Sequence, residues 1–379
     1  EVRSESLHVT MTQGLDCAAL QDYADLSAQI AFRQLDLVEG LMRIRQISER
    51  PPLFGNEISL ISFAAMAGLA PLAFYGGGIF DAIFSTLLGT VIGLFLIYLS
   101  GIGRIANITP FLAAAFASFS STAVASAMPP GYTFCPLSCT LSALLWLLPG
   151  LGLTTGIAEL AVKSIISGSS RFFSAMICAV QLGYGIVIGS EIVAWYDQAD
   201  ASLQRALHEG CSLAPSPFLL PLFLVLISLT FNILLNCPLS IWVFTSGAAL
   251  LGGGLFALLG GGGYAVMDDQ LALAVSSFAV GVCGQLVALI RGHQSLVTII
   301  CGILVLVPGG YASRTAASLL TQPSLDVAMF LLTTVLTAFS LTIGLLAAKA
   351  LIPSTPHRLR APIYKSHQIP PNASLLELI

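Results

Sequence analysis

Two stretches of this chain read alike. "LLPGLGLTTGIAEL" runs from Leu147 to Leu160, and "LVPGGYASRTAASL" from Leu306 to Leu319. Each sets Pro-Gly inside a long apolar run and follows it with small and hydroxyl-bearing residues. Proline removes a backbone N–H and its ring clashes with the preceding turn. Glycine adds backbone freedom at the same point. A helix is therefore expected to break at Pro149-Gly150, and another at Pro308-Gly309.

The surroundings give these breaks their meaning. Of 379 residues, 56% are hydrophobic and only 9% charged, with a mean hydropathy of +0.89. A soluble domain carries roughly 25% charged residues. Apolar runs of about 20 residues, enough to cross roughly 30 Å of hydrocarbon, fall near 57–75, 79–101, 108–128, 137–162 and 170–194. After a polar stretch, five more follow near 217–236, 238–260, 270–290, 295–320 and 325–351. The expected fold class is an all-α polytopic membrane protein of about ten transmembrane helices.

Charge orients the spans. With a cytosolic N-terminus, Arg3, Arg33, Arg43, Arg45, Arg50, Arg104, Lys163, Arg171, Arg291, Lys349, Arg358, Arg360 and Lys365 are all cytosolic. These are 13 of the 15 basic residues. The opposite orientation reverses the bias, so the positive-inside rule places both termini in the cytosol.

The Pro-Gly pairs sit in spans four and nine, the fourth of each set of five. The sets also end alike, in "GYGIVIGSEIVA" and "AFSLTIGLLAAKAL". A unit of five spans crosses an odd number of times, so a second copy enters from the opposite side. This is the inverted-topology repeat found in many secondary transporters. The expected division is a cytosolic helical segment at 1–54, a first five-span unit at 55–196 and an extracytosolic loop at 197–216. A second unit at 217–352 and a disordered cytosolic tail at 353–379 complete it. Residues 16–48 repeat apolar positions at helical spacing and read as one or two amphipathic helices ended by Pro51-Pro52. They read as the end of a longer N-terminal region.

In hydrocarbon, backbone groups freed by a broken helix are tolerable only against protein or a water-filled cavity. A half-helix N-terminus there carries partial positive charge. Pro149, Gly150, Pro308 and Gly309 are thus candidates to frame a midplane binding site. Thr154 and Ser313, each five residues past its proline, and Thr155 add hydroxyls that orient a polar solute or bond their own helix backbone. Arg314 offers a planar two-pronged donor to a carboxylate, or snorkels to the outer face. Glu159 is a candidate coupling group, carrying a proton or pairing with an amine. It equally pairs with Lys163, four residues on, in the order favoured on a helix surface.

Gln181, Asn232 and Gln285 lie within spans and read as helix-bridging amides. Asp81, opening span two, suits the helix dipole. Gly89-x-x-x-Gly93 and Gly185-x-x-x-Gly189 allow close helix approach. Most of the eight cysteines read as small apolar packing residues. Cys135 and Cys139 share one membrane face, where a disulfide can form. No C-x-x-C pair marks a zinc or redox site, and no G-x-x-x-x-G-K-[ST] marks an ATP loop. Neither H-E-x-x-H nor G-x-S-x-G occurs. The expectation is a non-enzyme without cofactor or metal, with lipid but no nucleic acid as partner.

"LLPGLGLTTGIAELAVKSIISGSSRF" followed by "LGYGIVIGSEI" resembles the threonine/serine exporter family, and within it the fungal members called pheromone-regulated membrane proteins. The resemblance rests on Leu148-Pro149-Gly150, on Thr155 through Glu159-Leu160, and on the connection Gly168-Ser169-Ser170-Arg171. It continues in "RG…SLVTIICGILVLVPGG", with Arg291-Gly292 and Val307-Pro308-Gly309, and in "LMRIRQISERPPLFG" before span one. It covers about residues 35–351. It implies ten spans, a cytosolic N-terminal region and, as in bacterial members, export of threonine and serine. Arg314 matches no family motif, so its role is inferred from this sequence alone. The leading expectation is a secondary transporter of small polar solutes, such as the threonine and serine that the resemblance implies, with proton coupling a further option. The competing one is a non-transporting membrane scaffold or fusion-related protein.

Overall fold

The structure, a computed structural model, describes residues 16–31, 34–35, 37–99, 107–128, 134–197, 217–260, 267–291, 295–307 and 327–352. All regular structure among them is helical. Two helices precede the apolar body: α1 (Cys17–Ala31) and α2 (Leu37–Ser48). The first half continues with α3 (Asn56–Ala73), α4 (Ile79–Leu99), α5 (Thr109–Ala127), α6 (Pro136–Ala143), α7 (Gly150–Ala161) and α8 (Ile165–Asp197). The second has α9 (Leu220–Leu234), α10 (Trp242–Leu259), α11 (Asp269–Arg291), α12 (Ser295–Leu304) and α13 (Val327–Leu351).

Among the described residues, seven helices are long and apolar enough to cross a bilayer, or eight if the bent pair α6–α7 counts as one span. Ten were expected. The difference lies in α9 and α12, which are apolar but short. A 3-10 turn at Pro217–Leu219 extends α9. The rest of the expected ninth span lies outside the described residues.

The same packing order occurs in both halves. In the first, α3 packs on α4, α5 on α8, and the short α6 is enclosed by α3, α4 and α5. In the second, α9 packs on α10, α11 on α13, and the short α12 is enclosed by α9, α10 and α11. The halves join where α3 meets α9 and α7 meets α13. All eight residues of α6 are buried, so its Ser138, Thr140 and Ser142 lie inside the body and not against lipid.

Glycine sets the closest approaches. A side chain at Gly93 would lie 2.9 Å from Phe63 Cβ on α3, and one at Gly185 would lie 2.6 Å from the Phe111 carbonyl on α5. Both expected glycine pairs therefore serve close packing, α4 on α3 and α8 on α5.

Helix ends follow local chemistry. Asp16 caps α1, its Oδ1 accepting from Ala19 N at 2.9 Å. α9 ends in a Schellman arrangement, with Asn236 N donating to Ile233 O at 3.0 Å and Cys237 N to Asn232 O at 2.8 Å. Asn236 takes φ 51° there, the left-handed region that asparagine tolerates better than most residues. α7 ends in the same way, but with Lys163 at φ 66°.

Candidate functional site

The first Pro-Gly pair does break its span. α6 stops at Ala143, a 3-10 turn covers Leu145–Leu147, and Pro149 stands as the N-cap of α7. The two helices differ in direction by 58°. The bend begins several residues before the proline because the ring clashes with the turn that precedes it. No side chain caps α7 among the described residues. Its first bond within the turn runs from Leu153 N to Pro149 O at 3.0 Å, which leaves the N–H groups before Leu153 without that intrahelical partner.

The break lies at the junction of the halves. Leu145 and Trp146 pack into one apolar cluster with Phe63 of α3, Phe231 of α9, and Leu304 and Val305 at the end of α12. Trp146 stands edge-on to Phe63, with ring centroids 6.1 Å apart, and 6.5 Å from Phe231. Leu151, just past the break, packs with Ile303 and Leu306. The first break thus touches the residues that lead into the second Pro-Gly pair. Pro308, Gly309, Ser313 and Arg314 themselves lie outside the described residues.

Gly150 and Thr154 are buried, and Thr155 and Glu159 half-buried. Thr154 Oγ1 donates to Gly150 O at 3.0 Å and Thr155 Oγ1 to Leu151 O at 2.8 Å. Both hydroxyls are thus bonded to their own helix in this state. Glu159 pairs with Arg171 of α8, Oε1 to Nε 2.9 Å apart, and also accepts from the Ser167 hydroxyl. Lys163, the in-line candidate, is exposed beyond the end of α7. The carboxylate therefore clasps the α7–α8 hairpin. The pair is partly exposed, which weakens it. A double-mutant cycle on Glu159→Gln and Arg171→Gln is expected to give a coupling below about 1 kcal/mol in thermal or denaturant unfolding. A coupling above roughly 3 kcal/mol would mark a buried, strongly linked pair instead.

Several features escaped sequence reasoning. Asp81 is fully buried. Its Oδ2 accepts from Gly78 N at 2.8 Å and its Oδ1 from Cys135 N at 3.0 Å, while the Cys139 thiol lies 3.7 Å away. It pins α6 to the start of α4, a role beyond the dipole reading. Cys135 is disulfide-bonded, but not to Cys139, which is a free thiol. The side-chain amide of Asn232 is fully buried, and neither of its polar atoms has a hydrogen-bond partner among the described residues. The expected bridge is not made among those residues. Asn232 lies next to Phe231, which packs with Trp146 at the break. Gln285 is buried, and its Oε1 has no hydrogen-bond partner among the described residues. Gln181 lines a shallow apolar depression with Phe111, Ile177 and Tyr184, between α5 and α8 and separate from the break.

Comparison with known proteins gives this architecture a context. Residues 2–193 match a family model described as "Putative threonine/serine exporter", and residues 221–351 one described as "Threonine/Serine exporter, ThrE". Pheromone-regulated membrane protein 10 of Yarrowia lipolytica is 27% identical over 318 residues, covering 82% of this chain and 25% of that protein. Uncharacterized protein C16A10.01 of Schizosaccharomyces pombe is 27% identical, covering 75% of this chain and 34% of that protein. Pheromone-regulated membrane protein 10 of Saccharomyces cerevisiae is 24% identical, covering 83% of this chain and 80% of that protein. The chain thus spans between a quarter and two fifths of several curated relatives. No solved structure matches. A transporter family is not an enzyme class, and its membership agrees with a multi-pass body of apolar helices. The chain belongs to the threonine/serine exporter family.

Proposed function

We propose that this chain is a secondary carrier of small polar solutes, threonine and serine foremost, working around broken spans four and nine. One observation carries the reading. The break before Pro149 is seated against the residues leading into Pro308, at the junction of the two halves. Paired broken helices at such a junction are how many carriers build a midplane site. The matched packing order of the halves supports an inverted repeat of five spans at 55–196 and 217–352.

In this reading the open N–H groups of α7 at Gly150 and the guanidinium of Arg314 receive the solute's carboxylate. Thr154, Thr155 and Ser313 exchange their intrahelical bonds for bonds to its hydroxyl and ammonium groups. Pro149, Pro308 and Gly309 keep the half-helices apart. Glu159 serves coupling: a proton arriving there weakens its hold on Arg171 and loosens the α7–α8 hairpin. Orientation follows from charge, with both termini cytosolic. The disulfide at Cys135, on the opposite side, fits an oxidising compartment.

The intrahelical bonds of Thr154 and Thr155 also fit a second reading, a membrane scaffold that moves nothing. Ligand-dependent unfolding separates the two. Threonine or serine at a hundred times its dissociation constant is expected to stabilise the purified chain by about 2.7 kcal/mol. Leucine should have no effect, Arg314→Ala should abolish the shift, and Thr154→Val should reduce it. A folded chain indifferent to every small polar amino acid would overturn the carrier reading.

A further inference from the structure

Three cysteines far apart in sequence meet on one side of the body. Cys17 opens α1, Cys237 lies in the short connection between α9 and α10, and Cys301 lies in α12. All three are fully buried and free. Their apolar surround includes Leu235, Ile241, Val297 and Ile300. The Cys237 and Cys301 sulfurs are 3.7 Å apart. Cys17 N donates to Leu235 O at 2.8 Å, so the backbone of Cys17 lies two residues from that of Cys237.

The docking is reinforced on both sides. Arg50, just before the membrane body, pairs with Asp22 of α1 at 3.1 Å. Trp242 Nε1 donates to Cys237 O at 2.9 Å, and its ring meets Phe54 with centroids 6.0 Å apart. α1 is thus clamped onto the end of the body that holds the start of α12.

We propose that these thiols form an oxidation site in which Cys17 and Cys237 close a reversible disulfide that locks α1 onto the membrane body. Cys17 is the attacking sulfur. It stands at the N-terminus of α1, where a helix favours a thiolate. The oxidant is a hydroperoxide, small enough for a buried site. The Cys17 thiolate attacks one oxygen of hydrogen peroxide, the O–O bond breaks, and hydroxide leaves and takes up a proton as water. The Cys237 sulfur then attacks the resulting sulfenic acid, an S–S bond forms, and the S–O bond breaks with loss of a second water. Two thiols are oxidised to one disulfide and one peroxide is reduced to two waters.

A cytosolic site of this kind stays reduced under ordinary conditions and closes under oxidative load. Slowed transport would rest on the carrier reading, because the lock holds the first half of a moving span. The bridge itself does not rest on it.

The test maps thiols in the full chain in native membranes, before and after hydrogen peroxide, by blocking free thiols and identifying linked peptides by mass spectrometry. The expected result is parallel loss of alkylatable Cys17 and Cys237, a linked Cys17–Cys237 peptide, and full recovery with a phosphine reductant. Cys178 and Cys283, which lie outside the cluster, keep their label. In Cys17→Ser, Cys237 should stay reduced. In Cys237→Ser, Cys17 should accumulate as sulfenic acid, trapped by dimedone. A Cys17 that remains a free thiol, or that oxidises without linking to Cys237, overturns the proposal. Because the readout is chemical, a chain that carries no threonine or serine can still pass or fail it.

Discussion

Gly189→Val is expected to abolish the stable fold, or to lower its unfolding midpoint sharply. A side chain at Gly189 meets the Ala115 carbonyl and would lie 2.8 Å from Phe119 N, both backbone atoms of α5. Backbone cannot swing aside as a side chain can, so α5 and α8 would have to separate along their length. Overpacking a core costs about 1–3 kcal/mol, occasionally more, and a rigid backbone neighbour puts this site at the upper end. Gly344 of α13 stands in the same relation to α11, with Phe278 N 2.8 Å from its added Cβ, and should behave alike. Gly247→Ala and Gly254→Ala are the controls, because among the described residues nothing lies within 4 Å of either Cβ position. Both should be neutral, or stabilising by up to about 1 kcal/mol through helix propensity. Thermal unfolding of the purified protein followed by size-exclusion chromatography reads all four. An unchanged midpoint for Gly189→Val would mean that α5 and α8 are not in backbone contact.

Asp81→Ala is expected to be nearly as damaging, for a different reason. The buried carboxylate satisfies the N–H groups of Gly78 and Cys135. Its removal leaves both orphaned, and each buried unmet donor costs about 1–3 kcal/mol. α6 would lose its attachment to the start of α4, and with it the position of the break at Pro149. Asp81→Asn keeps one acceptor oxygen but turns an amide donor toward a backbone donor, so it should fall between the original and the alanine. If alanine and asparagine both left the unfolding midpoint unchanged, Asp81 would not be the pin described.

The helices were legible wherever local chemistry fixes them. Apolar runs placed α3, α4, α5, α8, α10, α11 and α13 to within a few residues. The pair Pro149-Gly150 announced the break in span four because proline and glycine act on their own turn of helix. The glycine pairs were legible for the same reason, since a missing Cβ is a property of the residue itself. What failed needed partners distant in sequence. Glu159 seemed matched to Lys163, but α7 ends at Ala161 and the backbone at Lys163 turns left-handed. That destroys the i,i+4 geometry, and the hairpin then brings Arg171 to the carboxylate. Asp81 looked like a surface helix start because its acceptor role depends on Cys135, 54 residues on. Trp146 reads as one more apolar residue until α9 supplies Phe231. The thiol cluster draws on positions 17, 237 and 301, and no spacing rule joins them.

If the Pro149 break and the proposed Pro308 break frame a carrier site, a small polar amino acid crosses the membrane through it. Counterflow tests it most directly. The chain is reconstituted in liposomes loaded with unlabelled threonine or serine, and uptake of the labelled amino acid is followed against empty liposomes. Saturable, transient accumulation of label is expected, lost in Arg314→Ala and retained as exchange in Glu159→Gln, both checked for folding. Protein that is folded and inserted, yet gives no accumulation above empty liposomes with either amino acid, would contradict it.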